Sequence, residues 1–185
     1  MLRVIGGELK GRPIEVPRKS RGLRPTTGLV REAIFDLLES RAAVRGAKVV
    51  DLFAGTGAIG IEAASRGANE VTFVERDREL AASIRRTVSR LQIDPARVRI
   101  IEQDVRTFVA SPHEFTVAFL DPPYEFEGVH ELLGLLEAGV VVVEAAVPTN
   151  VPAGWELVKR RRYGGTLVEV LEKIDQGMAD AGRED

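Results

Sequence analysis

The sequence predicts an α/β fold. A mostly parallel sheet carries helices on both faces and an antiparallel hairpin at one edge, and a small N-terminal β-hairpin arm precedes it. Three observations lead there. Short apolar runs rich in Val and Ile alternate with helical patterns between residues 48 and 144, as in successive strand–helix units. The segment Val49-Val50-Asp51-Leu52-Phe53-Ala54-Gly55-Thr56-Gly57 reads as a strand running into a glycine turn and a helix start. Asp51, Glu75, Asp104 and Asp121 each close a run expected to be a strand, so one rim of the sheet collects four acids.

The elements follow in order. Residues 3–17 read as a hairpin or meander, with Gly6-Gly7 as a turn and Ile14 and Val16 alternating with charge. Pro25-Thr26-Thr27 introduces a helix whose apolar stripe is Val30, Ile34, Leu37 and Leu38, and a threonine is its cap. Gly46 marks its end. Strands are expected at 48–53, 70–75, 98–104, 116–121 and 139–144, and helices at 58–66, 77–91, 105–110 and 128–138. After Pro148 and Pro152, residues 155–160 and 166–173 form the edge hairpin around Tyr163-Gly164-Gly165. Three regions result: a basic arm at 1–24, an α/β body at 25–174, and a polar, disordered tail at 175–185.

Composition excludes several classes. The chain has no cysteine, hence no disulfide framework, thiolate nucleophile or thiolate metal site. With only His113 and His130, a histidine-rich metal centre is not expected, and no metal is assigned. No apolar run resembles a signal peptide core of roughly 7–15 residues or reaches spanning length, so a cytoplasmic protein without membrane contact is expected. The net charge of −2 hides an asymmetry. Residues 1–31 hold eight Lys and Arg against Glu8 and Glu15, leaving an acidic remainder. A basic arm on an acidic body suits a phosphate-gripping extension, with Arg3, Lys10, Arg12 and Arg24 as candidates; a merely solvated terminus is the plain alternative.

Two motifs carry chemistry. The glycines fit G-x-G-x-x-G (Gly55, Gly57, Gly60), and Glu75 follows Gly55 by 20 residues, a spacing that also suits a dinucleotide site. Asp51 discriminates. A carboxylate facing the turn repels a pyrophosphate and favours a ligand bearing an ammonium and a sulfonium, which is S-adenosylmethionine. A nicotinamide oxidoreductase stays as an alternative. The second motif is Asp121-Pro122-Pro123-Tyr124, after the apolar run Val117 to Leu120. An acid, stiff backbone carbonyls and an aromatic ring make an acceptor pocket for the exocyclic amine of a flat base. Asp104 sits equally well as a helix cap or as an acceptor for an adenine amino group.

Together these segments resemble the Rossmann-like S-adenosylmethionine-dependent methyltransferases that modify exocyclic amines. Within them, Arg3-Val4-Ile5-Gly6-Gly7 with Gly11-Arg12, Leu23-Arg24-Pro25-Thr26-Thr27 with Val30-Arg31-Glu32-Ala33, and Gly60-Ile61-Glu62-Ala63-Ala64-Ser65-Arg66-Gly67 resemble the RsmD family. These are bacterial enzymes acting on N2 of a guanine in 16S ribosomal RNA. The resemblance spans about residues 3–173. It departs at Gly28, Leu29 and Asp36, where an acid, an arginine and an asparagine are usual.

The resemblance implies that Phe53, Gly55 and Gly57 approach the methionine portion of the cofactor, with Asp51 near its positive end. Glu75 would hold the ribose hydroxyls, and Asp104 with Val105 the adenine. Asp121 and the Pro122 carbonyl would accept from the target amine, Pro123 would stiffen the turn, and Tyr124 would stack on the base. It further implies release of S-adenosylhomocysteine, 16S ribosomal RNA in the small subunit as partner, and a monomer. Open alternatives are another amine substrate, such as adenine N6 or a protein glutamine, and a ribosome-assembly factor without turnover.

Overall fold

The computed structural model describes residues 2–17, 27–123 and 125–174. Arg24, Tyr124 and the tail expected at 175–185 lie outside the described residues. The elements are α1 (Gly28–Ser40), β1 (Lys48–Leu52), α2 (Ala58–Ser65), β2 (Glu70–Val74), α3 (Arg78–Leu91), β3 (Val98–Ile101), α4 (Val105–Val109), β4 (Glu114–Leu120), α5 (Val129–Leu135), β5 (Glu137–Ala145), β6 (Trp155–Tyr163) and β7 (Thr166–Lys173).

The seven strands form one sheet in the order β3-β2-β1-β4-β5-β7-β6. β3 to β5 are parallel in that sheet, while β7 runs antiparallel to both β5 and β6. The chain steps outward from β1 to β3 and then returns to the other side of β1 with β4. That reversal opens a crevice at the carboxyl ends of β1 and β4, where open α/β sheets bind ligands.

Strand alternation builds a core on each face. Val49, Val71, Phe73, Val117, Phe119, Val142 and Val170 pack under Ile34, Phe35 and Leu38 of α1, α2, and Ile84 and Val88 of α3. Val50, Leu52, Val74, Ala118, Leu120, Val141 and Leu171 face Phe108 of α4 and Leu132 and Leu133 of α5 on the opposite side. Each core buries complete Val, Leu, Ile and Phe side chains, worth about 1.5–3 kcal/mol apiece in transfer free energy.

Some boundaries differ from expectation, each for a local reason. The strand expected at 98–104 stops at Ile101 because Asp104 takes an extended conformation and caps α4, accepting from the Arg106 amide at 2.9 Å. The helix expected at 128–138 ends at Leu135, because Leu136 is extended and Glu137 already pairs with Glu114 of β4. The edge hairpin is longer than expected: β6 continues through the run 160–163 to a two-residue Gly164-Gly165 loop.

The arm is a hairpin only in outline. Arg3 and Pro13 form a single antiparallel bridge, flanked by backbone bonds from Val4 to Arg12, Gly11 to Val4 and Ile14 to Leu2, while other amides of the arm donate to the body. Val4 and Ile14 are buried in the α1–α3 core. The amides of Ile5 and Gly6 donate to the Glu62 carboxylate at 2.8 and 2.6 Å, and Glu8 and Leu9 donate to the carbonyl and hydroxyl of Ser65. Glu15 donates through its amide to Thr87 and pairs with Arg86. These contacts account for an unusual helix. Every residue of α2 is buried, because the arm covers the face that would otherwise meet water.

Candidate active site

The site begins at the end of β1. Asp51 points toward the α1–α3 face, and its Oδ2 accepts from the Gly60 amide at 2.9 Å. Phe53 and Gly55 then adopt left-handed backbone (φ 65° and 55°), and Gly57 (φ 74°) caps α2. Glycine is required at two places. Gly57 combines left-handed backbone with close contact to Ile84, and a Cβ on Gly60 would stand 2.3 Å from the Phe73 ring. The third glycine of the motif therefore serves helix–sheet packing, and the turn is held against β2 from beneath.

Glu75 fixes the turn from the neighbouring strand. One of its oxygens accepts from the Gly55 amide and the other from the Asp77 amide, both at 2.8 Å. A carboxylate offers about four lone-pair sites, so both oxygens keep acceptor capacity toward the crevice. Asp104 performs the capping role left open by the sequence, and its second oxygen lies 3.9 Å from Arg76. Val105 is buried in the first turn of α4.

Asp121 follows Leu120 of β4, directly beside the strand that carries Asp51. It is half-buried, as is Pro122, while Pro123 is exposed and its carbonyl accepts from the Phe126 amide at 2.8 Å. Sequence reasoning missed two residues here. Phe126 meets Phe53 edge to face at 4.8 Å, joining the loop after the Asp-Pro-Pro segment to the glycine turn. Arg106 covers the Phe126 ring at 4.5 Å and donates to the Glu127 carbonyl. Spacing alone carries no signal for either contact.

The electrostatics select the ligand. Burial drives the Asp51 carboxyl well above the usual carboxylate range; the Gly60 amide opposes the shift, and Asp121, Glu75 and Glu144 add to it. A cationic group brought beside these carboxylates would be favoured by their charge. Among the described residues no group of His, Asp and Glu is arranged to hold a metal. Nor, among those residues, is any helix long and apolar enough to cross a membrane.

The RNA candidates divide. Arg3 donates to the Gly11 carbonyl at 2.7 Å and Arg12 to the Arg90 carbonyl at 3.3 Å, whereas Lys10 projects from the turn. Since α2 and α3 run away from the crevice, the arm's contacts with Ser65 and Arg90 place its tip toward the opposite edge of the sheet. At the departures, Asp36 is a solvated helix residue, 67% exposed and 4.0 Å from Arg66. A side chain on Gly28 would make only ordinary contact with Ile5, and Leu29 is exposed.

Known proteins share this arrangement. The family model described as Conserved hypothetical protein 95 matches residues 2–172. Ribosomal RNA small subunit methyltransferase D of Escherichia coli K12 is 35% identical over 193 residues, covering 97% of this chain and 94% of that protein. The chain belongs to the RsmD family. The Haemophilus influenzae methyltransferase D is 32% identical over 175 residues, covering 88% of this chain and 89% of its own. The solved structure of the putative methyltransferase yhhF from Escherichia coli superposes with a TM-score of 0.84 at 32% identity, over 95% of this chain and 99% of that one. The fold is the Rossmann-like methyltransferase fold, with the RsmD arm docked on α2 and α3.

Proposed function

We propose that this chain transfers the methyl group of S-adenosylmethionine to the exocyclic N2 amine of a guanine in 16S ribosomal RNA, as a cytoplasmic monomer. The carrying observation is a pairing of strands. The buried Asp51, penultimate in β1, pairs with Phe119, two residues before the Asp121 that follows β4, and the two acids interact electrostatically at the reversal of strand order. Donor and acceptor halves of a transfer site therefore share one crevice. The names of the RsmD relatives, small subunit ribosomal RNA methyltransferases, support the substrate.

The residues fit that cofactor by their chemistry. The glycine turn, Glu75, Asp104 with Val105, and Asp51 would hold the methionine portion, the ribose, the adenine and the positive end respectively. The cofactor supplies an electrophilic methyl on a sulfonium sulfur. Asp121 and the Pro122 carbonyl accept from the target amine, drawing its lone pair out of conjugation with the base. Tyr124 supplies a stacking face for the extruded base, worth about 1–3 kcal/mol. Positioning of this kind contributes roughly 7–11 kcal/mol in favourable cases. The basic arm, with Arg3, Lys10, Arg12 and Arg24 as candidates, would grip phosphates of the RNA.

The direct test is transfer of labelled methyl to small ribosomal particles from a strain lacking the gene, followed by mapping. Label on one guanine N2 is expected. Label on an adenine would change the base, and no label in ribosomal RNA would overturn the reading.

Glu75 tests the cofactor assignment. Replacement by Gln is expected to weaken S-adenosylmethionine and S-adenosylhomocysteine by a common factor of about 10–150, since hydrogen bonds to a charged group contribute about 1.5–3 kcal/mol and both ligands carry the same ribose. Titration calorimetry decides; unchanged or unequal affinities would place the ribose elsewhere.

Asp51 gives a pH prediction with a definite sign. Its carboxyl is raised above 3.8 in the free folded protein, so folding takes up a proton there. The stability this contributes is complete below 3.8 and is lost as pH rises through the raised value. A cationic ligand favours the ionised form, so binding releases a proton and tightens as pH climbs through the same window. Calorimetry in buffers of differing ionisation enthalpy should register proton release on binding S-adenosylmethionine; proton uptake would refute it.

A further inference from the structure

β6 carries four consecutive cations, Lys159 to Arg162, all exposed on the edge strand of the sheet. Alternation sends Lys159, Arg161 and Tyr163 to one face, where they line a groove of about 330 Å³ against Asp36 and Leu37 of α1. Arg160 turns to the other face and is committed to the buried Glu169 at 2.6 Å. Neither Lys159 nor Arg161 forms an ion pair among the described residues. The Arg161 guanidinium lies 5.2 Å from the Tyr163 ring. Asp36 is the only acid in the lining and is already shared with Arg66 at 4.0 Å.

Register fixes where this groove lies. Leu120 pairs with Val143, Val143 with Glu169, and Glu169 with Arg160, so one row crosses the sheet from the residue before Asp121 to the basic run. Three strand spacings make that row about 14–15 Å long. β6 runs parallel to β5, so Arg161 and Tyr163 lie toward the carboxyl rim that holds Asp121. Arg12 of the arm lies instead against Arg90, near the far end of α3. Unpaired cations beside a ring, on the acceptor side of the crevice, match a nucleic-acid strand: charge for phosphate and a flat face for a base.

We propose that the groove between α1 and β6 is a second RNA-binding surface, which holds the strand flanking the target nucleotide through Lys159, Arg161 and Tyr163. The proposal rests on the RNA methylation reading above and adds to it the path of the substrate. The rival role for exposed cations on an edge strand is to prevent edge-to-edge association.

The test uses the full chain and naked 16S RNA across a salt series. The K159Q/R161Q double variant is expected to flatten the slope of log affinity against log salt by about 1.4–1.8, from two lost phosphate contacts. Tyr163→Ala is expected to weaken binding about 5–150-fold, the equivalent of 1–3 kcal/mol of stacking, without changing that slope. Cofactor affinity and thermal midpoint should match the parent. Unchanged RNA affinity and slope in these variants, with a parent that methylates ribosomal RNA, would overturn the proposal. So would new self-association at unchanged slope, which marks an edge guard. Loss of binding confined to assembled particles would also overturn it, by assigning the groove to a ribosomal protein. A parent that methylates no ribosomal RNA would instead remove the reading beneath.

Discussion

Replacing Asp121 with alanine is expected to lower methyl transfer by about 10²–10⁴-fold, the usual contribution of a positioned acid or base, while cofactor affinity stays within a few-fold. The asymmetry follows from placement. Asp121 follows β4 and opens the segment that faces the acceptor, whereas the glycine turn is held by Glu75 and Asp51 through backbone amides. Asparagine separates two roles: it keeps an oxygen that accepts from the amine but cannot take a proton. Activity restored by Asn assigns positioning, and activity absent from both assigns proton acceptance as well. The thermal midpoint, recorded on the same variants, separates loss of transfer from loss of folding. Single-turnover assays with calorimetry on the same preparations decide it. Near-normal turnover in Asp121→Ala would remove the mechanism.

The sheet was legible because its signals are local and repeated. Valine-rich runs bounded by turn residues fixed the parallel strands, and Gly164-Gly165 fixed the edge hairpin, which the structure places with β7 inside and β6 outside. The glycine turn was legible for a similar reason, since its strain is written as glycine; yet Phe53 is equally left-handed and no spacing rule reveals it. Asp104 shows where the residue type is ambiguous. A carboxylate at a strand end serves a cap or a ligand, and the choice is made by the amide of Arg106. Two features escaped for opposite reasons. The basic run of β6 is plain in the sequence, but nothing local to it says that its strand runs toward the carboxyl rim. The docking of the arm depends on contacts between residues more than fifty positions apart, which periodicity does not report. One signal was available: Ala58 to Ser65 is apolar on all sides except at Glu62 and the terminal Ser65, and such a helix requires a cover.

Glu62 is the residue on which that cover depends, and Glu62→Ala is expected to cost about 3–5 kcal/mol of stability. The carboxylate is wholly buried and accepts from the amides of Ile5 and Gly6. It also pairs with Arg66 at 3.0 Å and faces Arg31 at 3.5 Å. Burial already pulls the Arg31 guanidinium below its ordinary value, with Glu62 as the largest opposing influence. Among the described residues the Nε and Nη1 of Arg31 have no hydrogen-bond partner, so charge compensation there rests chiefly on Glu62, with Glu144 adding to it. Alanine would strand a buried cation and two arm amides together. For a chain of this size the expected loss in Tm is on the order of ten degrees. Glu62→Gln keeps one acceptor but presents an amide donor to the other groups, so it should recover only part of the loss. Thermal and urea unfolding should also separate this clamp from simple loss of side-chain volume: Ile61→Val, a neighbour in the same helix, is expected to cost only about 0.5–1.5 kcal/mol. A Glu62→Ala variant within about 1 kcal/mol of the parent would mean that Arg31 finds another partner and that the arm is held by its remaining contacts, the burial of Val4 and Ile14 and the bonds to Ser65 and Thr87.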